Sequence, residues 1–270
     1  LALAGTEVLK LYYRELSPDS SGEPLLMLHG LLGSSANWQT VARAFTDRYP
    51  VILPDLRNHG RSPHADSCSY ADMTQDVLHL MDELGLARVN LVGHSMGGKL
   101  AMWLALQHPE RVEKLLVADI APVHYHSQRF DHIFRAMSQI DMHGLESRQQ
   151  ADDQMAQSIP EAPVRAYLLQ NLLRKDNNWH WRINLPALQA GMDQISGFPE
   201  TEEFFSGKTL FLKGEHSDYI QPDYTDVMHR LFPQMSLAVI YGAGHWLYAE
   251  QPQQFIEQLQ RLLDGQEHAN

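Results

Sequence analysis

Apolar residues along this chain follow two alternating rhythms. Short, nearly uninterrupted apolar runs recur at Pro24-Leu25-Leu26-Met27-Leu28, Val51-Ile52-Leu53-Pro54, Val89-Asn90-Leu91-Val92, Leu115 to Ile120, Thr209-Leu210-Phe211-Leu212 and Leu237-Ala238-Val239-Ile240-Tyr241. Runs of this length suit strands buried on both faces. Between them the period lengthens. Met73, Val77, Leu80, Met81 and Leu84 fall at i, i+4, i+7, i+8 and i+11, one face of a helix that should stop at Gly85. Met96 to His108 predicts a second helix ending before Pro109, and Phe255, Ile256, Leu259, Leu262 and Leu263 form the stripe of a last one. Val8 to Glu15 is rich in β-formers and predicts a leading strand.

Repeated strand-helix-strand order implies right-handed crossovers and a mostly parallel sheet with helices on both faces, an α/β architecture. The rhythm breaks between Val123 and Pro199. That stretch reads as helices interrupted at Gly144, Pro160, Pro163 and Pro186, with Trp179 to Ile183 as an edge strand at most. The expected organisation is a core made of residues 1–122 and 200–270, with 123–199 inserted as a helical cap. No internal repeat or flexible linker interrupts it.

Composition narrows the function classes. The 270 residues are 44% hydrophobic and 20% charged, ordinary globular usage. A net charge of −12 repels phosphate backbones and anionic lipid, so neither nucleic acid nor a membrane surface is an expected partner. Arg129, Arg135, Arg165, Arg174 and Lys175 are a local cationic excess that could still serve an anionic substrate. The one cysteine, Cys68, permits no internal disulfide, and no apolar run reaches the length of a membrane span. A cytoplasmic location is expected. The opening Leu-Ala-Leu-Ala-Gly is too short for a signal sequence, and the missing initial Met leaves open whether an upstream segment was removed.

The chemistry starts at Gly93-His94-Ser95-Met96-Gly97-Gly98, between a predicted strand and a predicted helix. A sharp strand-to-helix turn with glycines around a serine projects the hydroxyl above the sheet edge, the arrangement called a nucleophile elbow. Serine is a weak nucleophile near neutral pH, so it needs a base in reach and an acid to orient the base. His245, in Gly242-Ala243-Gly244-His245-Trp246 after the last predicted strand, is the candidate base. His29-Gly30-Leu31-Leu32-Gly33 follows an early strand. The N–H of Leu31 should join that of Met96 in an oxyanion hole, with His29 fixing the loop and bordering the site. The histidines show no zinc-ligand spacing, and acyl transfer of this kind requires no metal or organic cofactor.

Taken together, these segments with Asp55-Leu56-Arg57-Asn58-His59-Gly60-Arg61-Ser62 and Asp119-Ile120-Ala121-Pro122 resemble the α/β-hydrolase family over essentially the whole chain. Asn58-His59-Gly60 and Asp119-Ile120-Ala121-Pro122 look most similar to the small bacterial esterases of the YbfF type. The resemblance implies an eight-stranded sheet, a cap after the sixth strand, and hydrolysis of acyl esters, with thioesters including acyl-CoA among the candidates. It also implies a Ser-His-Asp triad. The commonest family slot for the acid is occupied here by Ser217, with Asp218 one residue late. Asp119 offers the alternative position; it is the favoured acid and Asp218 its rival. Asp55, Arg57 and Ser62 are expected to be structural, through an Asp-Arg pair and a turn at Gly60.

The expected reaction is therefore hydrolysis of an ester or thioester of a small-molecule acyl substrate. His124, Tyr125, Ser217 and Trp246 are the other residues expected around the pocket, with His126 and Leu247 beside them. Phe130, Ile133, Phe134 and Met137 form one apolar helix face that is expected to pack mainly on the core. Two alternatives stay open on sequence: carbon–carbon bond hydrolysis or perhydrolysis by the same triad, and a ligand-binding receptor on a hydrolase scaffold.

Overall fold

The computed structural model describes residues 7–266, so the opening Leu-Ala-Leu-Ala-Gly lies outside them. The chain begins with β1 (Tyr13–Leu16), β2 (Leu25–Leu28), α1 (Gln39–Arg43), β3 (Val51–Pro54), α2 (Tyr70–Glu83), β4 (Val89–His94), α3 (Met96–Gln107) and β5 (Val112–Ala118). An excursion follows, with α4 (Asp131–Ser138), α5 (Arg148–Met155), α6 (Ala162–Leu169), a hairpin of β6 (Leu172–Lys175) and β7 (Asn178–Trp181), then α7 (Leu185–Ala190) and α8 (Met192–Ser196). The chain returns through β8 (Lys208–Gly214), α9 (Thr225–Leu231), β9 (Met235–Ile240), α10 (Leu247–Glu250) and α11 (Pro252–Leu263).

The main sheet has the order β1-β3-β2-β4-β5-β8-β9. Only β1 is antiparallel, pairing with β3; every other pairing is parallel. Side chains alternate across the sheet. Leu26 and Leu28 enter one apolar layer with Met73, Val77 and Leu100 of α2 and α3, while Leu25 and Met27 enter another with Val41, Phe255 and Leu259 of α1 and α11. The parallel strands of the centre point their C-terminal ends to one edge, which is where such sheets bind ligands. The loops after β2, β4, β5, β8 and β9 all open there.

Among the described residues the main sheet has seven strands, one fewer than the expected eight, and the excursion leaves after β5, the fifth in chain order, rather than after a sixth. The missing edge strand has a physical cause. Residues 7–12 precede β1 and form no ladder; the Tyr12 carbonyl accepts the Asp55 N–H at 2.8 Å, and side chains take other backbone groups of the segment. The Leu9 N–H donates to Asp76 Oδ1 at 2.7 Å and Arg57 donates to the Glu7 carbonyl at 3.3 Å. Two of the prolines read as interruptions instead open helices: Pro163 and Pro186 occupy the first turns of α6 and α7, where a missing N–H costs nothing. No helix among the described residues is long and apolar enough to cross a membrane.

Candidate active site

Ser95 ends β4 and begins α3 with φ 52° and ψ −118°, a conformation that non-glycine residues rarely adopt. The surrounding glycines permit the turn. A Cβ on Gly93 would lie 2.2 Å from the Gly97 carbonyl oxygen, and one on Gly97 would lie 2.4 Å from the Leu28 and His29 oxygens. The helix therefore starts almost in contact with β2. The Ser95 N–H is anchored to the Ala118 carbonyl at 3.1 Å, and the side chain keeps an opening to the sheet edge, the residue being 8% exposed.

His245 reaches Ser95 from the loop between β9 and α10. Its Nε2 accepts from the Ser95 hydroxyl at 3.0 Å, and its Nδ1–H donates to Asp119 Oδ2 at 2.7 Å. Asp119 follows β5, the neighbour of β4, and is fully buried with φ 52°. Its carboxylate also accepts the Gly214 N–H at 3.0 Å and the Ser217 hydroxyl. Asp218 points away, paired at 2.8 Å with Arg129 in an exposed ion pair. Of the two candidate acids, the geometry thus brings Asp119 to His245 and leaves Asp218 at the surface.

Two aromatic rings hold the His245 imidazole, and sequence reasoning singled out neither. Tyr219 stacks on one side at 3.9 Å with 17° between planes, and the Arg129 guanidinium lies 4.5 Å from the centre of the Tyr219 ring. His94 lies 4.7 Å away on a tilted plane, and its Nε2–H donates to the His245 carbonyl at 2.8 Å. Burial, reinforced by the nearby His245, holds the His94 pKa well below the ordinary histidine range. His94 thus serves as a neutral buttress for the loop.

The loop after β2 is fixed from three directions. The Gly30 carbonyl accepts His29 Nδ1–H at 2.8 Å and Gly33 N–H at 3.0 Å. The Leu31–Leu32 peptide is gripped at both ends, its carbonyl accepting the Tyr167 hydroxyl at 2.9 Å and its N–H donating to His59 Nε2 at 3.1 Å. Asn171 Nδ2 donates to the Leu32 carbonyl at 2.7 Å. Among the described residues no protein acceptor takes the N–H of Leu31 or of Met96. Both residues line the pocket that Ser95 faces.

Several expected neighbours sit elsewhere. His29 does not border the pocket; it is buried, with Nε2 accepting the Leu56 N–H at 2.9 Å. His124 and His126 are exposed, because the chain turns outward on leaving the sheet, whereas Tyr125 between them turns inward and lines the pocket. Ser217 contacts Asp119 rather than the pocket, and Trp246 lines a separate large groove with Tyr167 and Tyr248. The expected Asp55–Arg57 pair does not form. Asp55 is turned back to accept the N–H groups of Ser35 (2.7 Å) and Arg61 (2.8 Å), while Arg57 binds Asp76 at 2.6 Å. Arg129 and Arg165 are each engaged by a carboxylate, Asp218 and Asp152. Of the apolar face on α4, Phe134 and Met137 are buried in the core, and Phe130 just before it lines the pocket.

The pocket is narrow. Its wall includes Leu31, Met96, Ile120, Phe130, Ile195 and Tyr219, and its cavity volume of about 20 Å³ has room for about one water molecule. Among the described residues no group of three or more His, Cys, Asp or Glu side chains is placed to hold a metal ion. An imidazole bonded on one nitrogen to a carboxylate and on the other to a strained, accessible hydroxyl can draw the hydroxyl proton as the oxygen attacks a carbonyl.

Comparison with known proteins gives the fold family. The sequence profile described as alpha/beta hydrolase fold matches residues 23–252. The chain is 40% identical over 265 residues to the mouse (Mus musculus) sn-1-specific diacylglycerol lipase ABHD11, covering 94% of this chain and 85% of that one. It is 35% identical over 244 residues to the esterase YbfF of Escherichia coli (strain K12), covering 90% and 94%. A solved structure of a marine microorganism esterase superposes with a TM-score of 0.91 at 39% identity, covering 94% of this chain and 99% of the other. The chain belongs to the alpha/beta hydrolase fold family.

Proposed function

We propose that this chain is a serine hydrolase that cleaves carboxylic esters, and thioesters by the same steps, through an acyl-enzyme on Ser95. The observation that carries this reading is the unbroken line Ser95 Oγ, His245 Nε2, His245 Nδ1, Asp119 Oδ2, with links of 3.0 and 2.7 Å. His245 takes the Ser95 proton as Oγ attacks the acyl carbon. The developing oxyanion turns toward the N–H groups of Leu31 and Met96, each of which contributes about 3 kcal/mol to such a transition state. The Met96 N–H also lies at the start of α3, where the helix dipole favours negative charge. His245 then protonates the departing alcohol or thiol, and activates water to release the acid. Asp119 holds the Nδ1–H tautomer throughout and stabilises the imidazolium. Residues 123–199 act as the cap over this site. The names of the mouse lipase and the bacterial esterase are in keeping with ester chemistry.

The test is turnover of p-nitrophenyl esters of rising chain length beside an acyl-CoA panel, with wild type and Ser95→Ala compared. Ser95→Ala is expected to abolish steady-state turnover while circular dichroism and melting stay those of a folded protein. Turnover that survives in Ser95→Ala overturns the mechanism. A wild type limited to one slow turnover favours a receptor instead.

A further inference from the structure

Lys99 is a buried charge that the reaction described above does not use. It lies one turn beyond Ser95 on α3, its N–H bonded to the Ser95 carbonyl at 3.0 Å, and it is 1% exposed. An ammonium has three donors, and here each finds a backbone carbonyl: Val123 at 2.8 Å, Ser196 at 2.6 Å and Gly197 at 2.8 Å. The Tyr125 ring lies 4.7 Å from the same Nζ. Burial pulls the Lys99 pKa down to about 7, and the three carbonyl dipoles oppose it by favouring the charged form.

The positions of the acceptors give this cluster its meaning. Val123 is where the chain departs from the sheet after β5, and Ser196 and Gly197 are where it comes back at the end of α8. One side chain on the helix of Ser95 therefore holds both feet of the cap. Smaller ties gather at the same place: Tyr125 N–H donates to Ser196 O at 2.9 Å and Tyr70 OH to Ile195 O at 2.6 Å. Lys99, Tyr125, Ile195 and Ser196 are also the wall of the narrow pocket in front of Ser95. The ties at the feet and the pocket wall thus share Lys99, Tyr125, Ile195 and Ser196.

We propose that Lys99 is a specificity-determining residue, which by tying both feet of the cap to α3 fixes the depth of the pocket and restricts the acyl group to a short chain. This rests on the reading of Ser95 as nucleophile and of the narrow pocket as the acyl side. A guanidinium is planar and too wide for a three-carbonyl cup, and an apolar side chain leaves all three oxygens unpaired, so the arrangement calls for lysine.

The experiment compares kcat/KM for p-nitrophenyl acetate, butyrate and octanoate in wild type, Lys99→Met and Lys99→Gln. Active sites are counted in each by a fluorophosphonate that labels Ser95. In Lys99→Met the octanoate-to-acetate ratio is expected to rise at least about tenfold, with Lys99→Gln between it and wild type. A ratio unchanged in folded, labelled protein, with all esters losing rate in parallel, reduces Lys99 to a structural role and overturns the proposal. Should Lys99→Met fail to fold, Tyr70→Phe decides, since it releases only the Ile195 tie: a ratio raised about threefold supports the proposal and an unchanged one overturns it. Wild type that is not labelled at Ser95 defeats the underlying hydrolase reading instead.

Discussion

Ser217 donates its hydroxyl to Asp119 Oδ2, the same oxygen that receives the Nδ1 proton of His245. The proposed acid thus comes from the end of β5, while the loop after β8 sends a serine and the Gly214 N–H to hold its carboxylate. Asp119→Asn keeps the shape but can turn an amide N–H toward Nδ1, which favours the wrong tautomer. The expected loss in kcat is about 10³- to 10⁴-fold. Asp218→Asn breaks only the exposed pair with Arg129 and should stay within about threefold of wild type. Steady-state kinetics on p-nitrophenyl acetate separate the two; a severe loss confined to Asp218→Asn would return the role to that residue.

The parallel stack of Tyr219 on His245 suits the imidazolium of the proposed mechanism, since a cation gains by lying on an aromatic face. Tyr219→Phe preserves the stack and is expected to keep kcat within about twofold of wild type. Tyr219→Leu removes the ring, and kcat should fall about tenfold with KM little changed, a loss within the range of such contacts. Equal rates in the two variants would dismiss the stack as packing only.

Tyr167 ties the inserted segment to the loop after β2. Its hydroxyl donates to the Leu31 carbonyl, and His59 accepts from the Leu32 N–H of the same peptide, so that peptide is held from both cap and core. The adjoining Gly30–Leu31 peptide carries the proposed oxyanion donor. Tyr167→Phe removes one bond without removing volume. The expected result is a fall in kcat of roughly fivefold to tenfold, the scale of one neutral hydrogen bond, with KM unchanged. A change in KM alone would place Tyr167 in substrate binding and not in positioning the loop.

Legibility followed the range of the interactions. Ser95 and His245 could be found because each stands in a short glycine-containing stretch directly after a strand pattern, and local sterics impose that stretch. Asp119 was reached through resemblance, because its pairing with His245 depends on the order in which β5, β8 and β9 lie side by side, and no local pattern carries sheet order. Lys99, Tyr167 and Asn171 left no trace, since their partners are backbone carbonyls, which every residue possesses. The Asp55–Arg57 expectation failed for a related reason: proximity in sequence suggested a pair, but the loop turned Asp55 toward backbone N–H groups and left Arg57 to Asp76. The absence of an eighth strand among the described residues is the same effect at an edge, where side chains took up backbone groups that a ladder would have paired.

His59 is expected to make the loop after β2 sensitive to acid. It is buried, its Nδ1–H donates to the Arg57 carbonyl at 2.8 Å, and its Nε2 must stay unprotonated to accept the Leu32 N–H. Burial, with the His29 ring 5.1 Å away, lowers its pKa to about 3. The sign follows from where protons bind. Above the ordinary histidine pKa of about 6.5 neither the folded nor the unfolded chain is protonated here, and the full stability is present. As pH falls from there toward 3 the unfolded chain takes a proton that the folded one refuses, so stability declines by up to about 1.4 kcal/mol per pH unit for this residue. His29, lowered by the same burial, acts in the same direction. Urea unfolding between pH 7 and 4 should show this slope, and His59→Gln, which has no proton to gain, should flatten it by about one proton. An identical slope in the variant would mean that the acid sensitivity arises elsewhere.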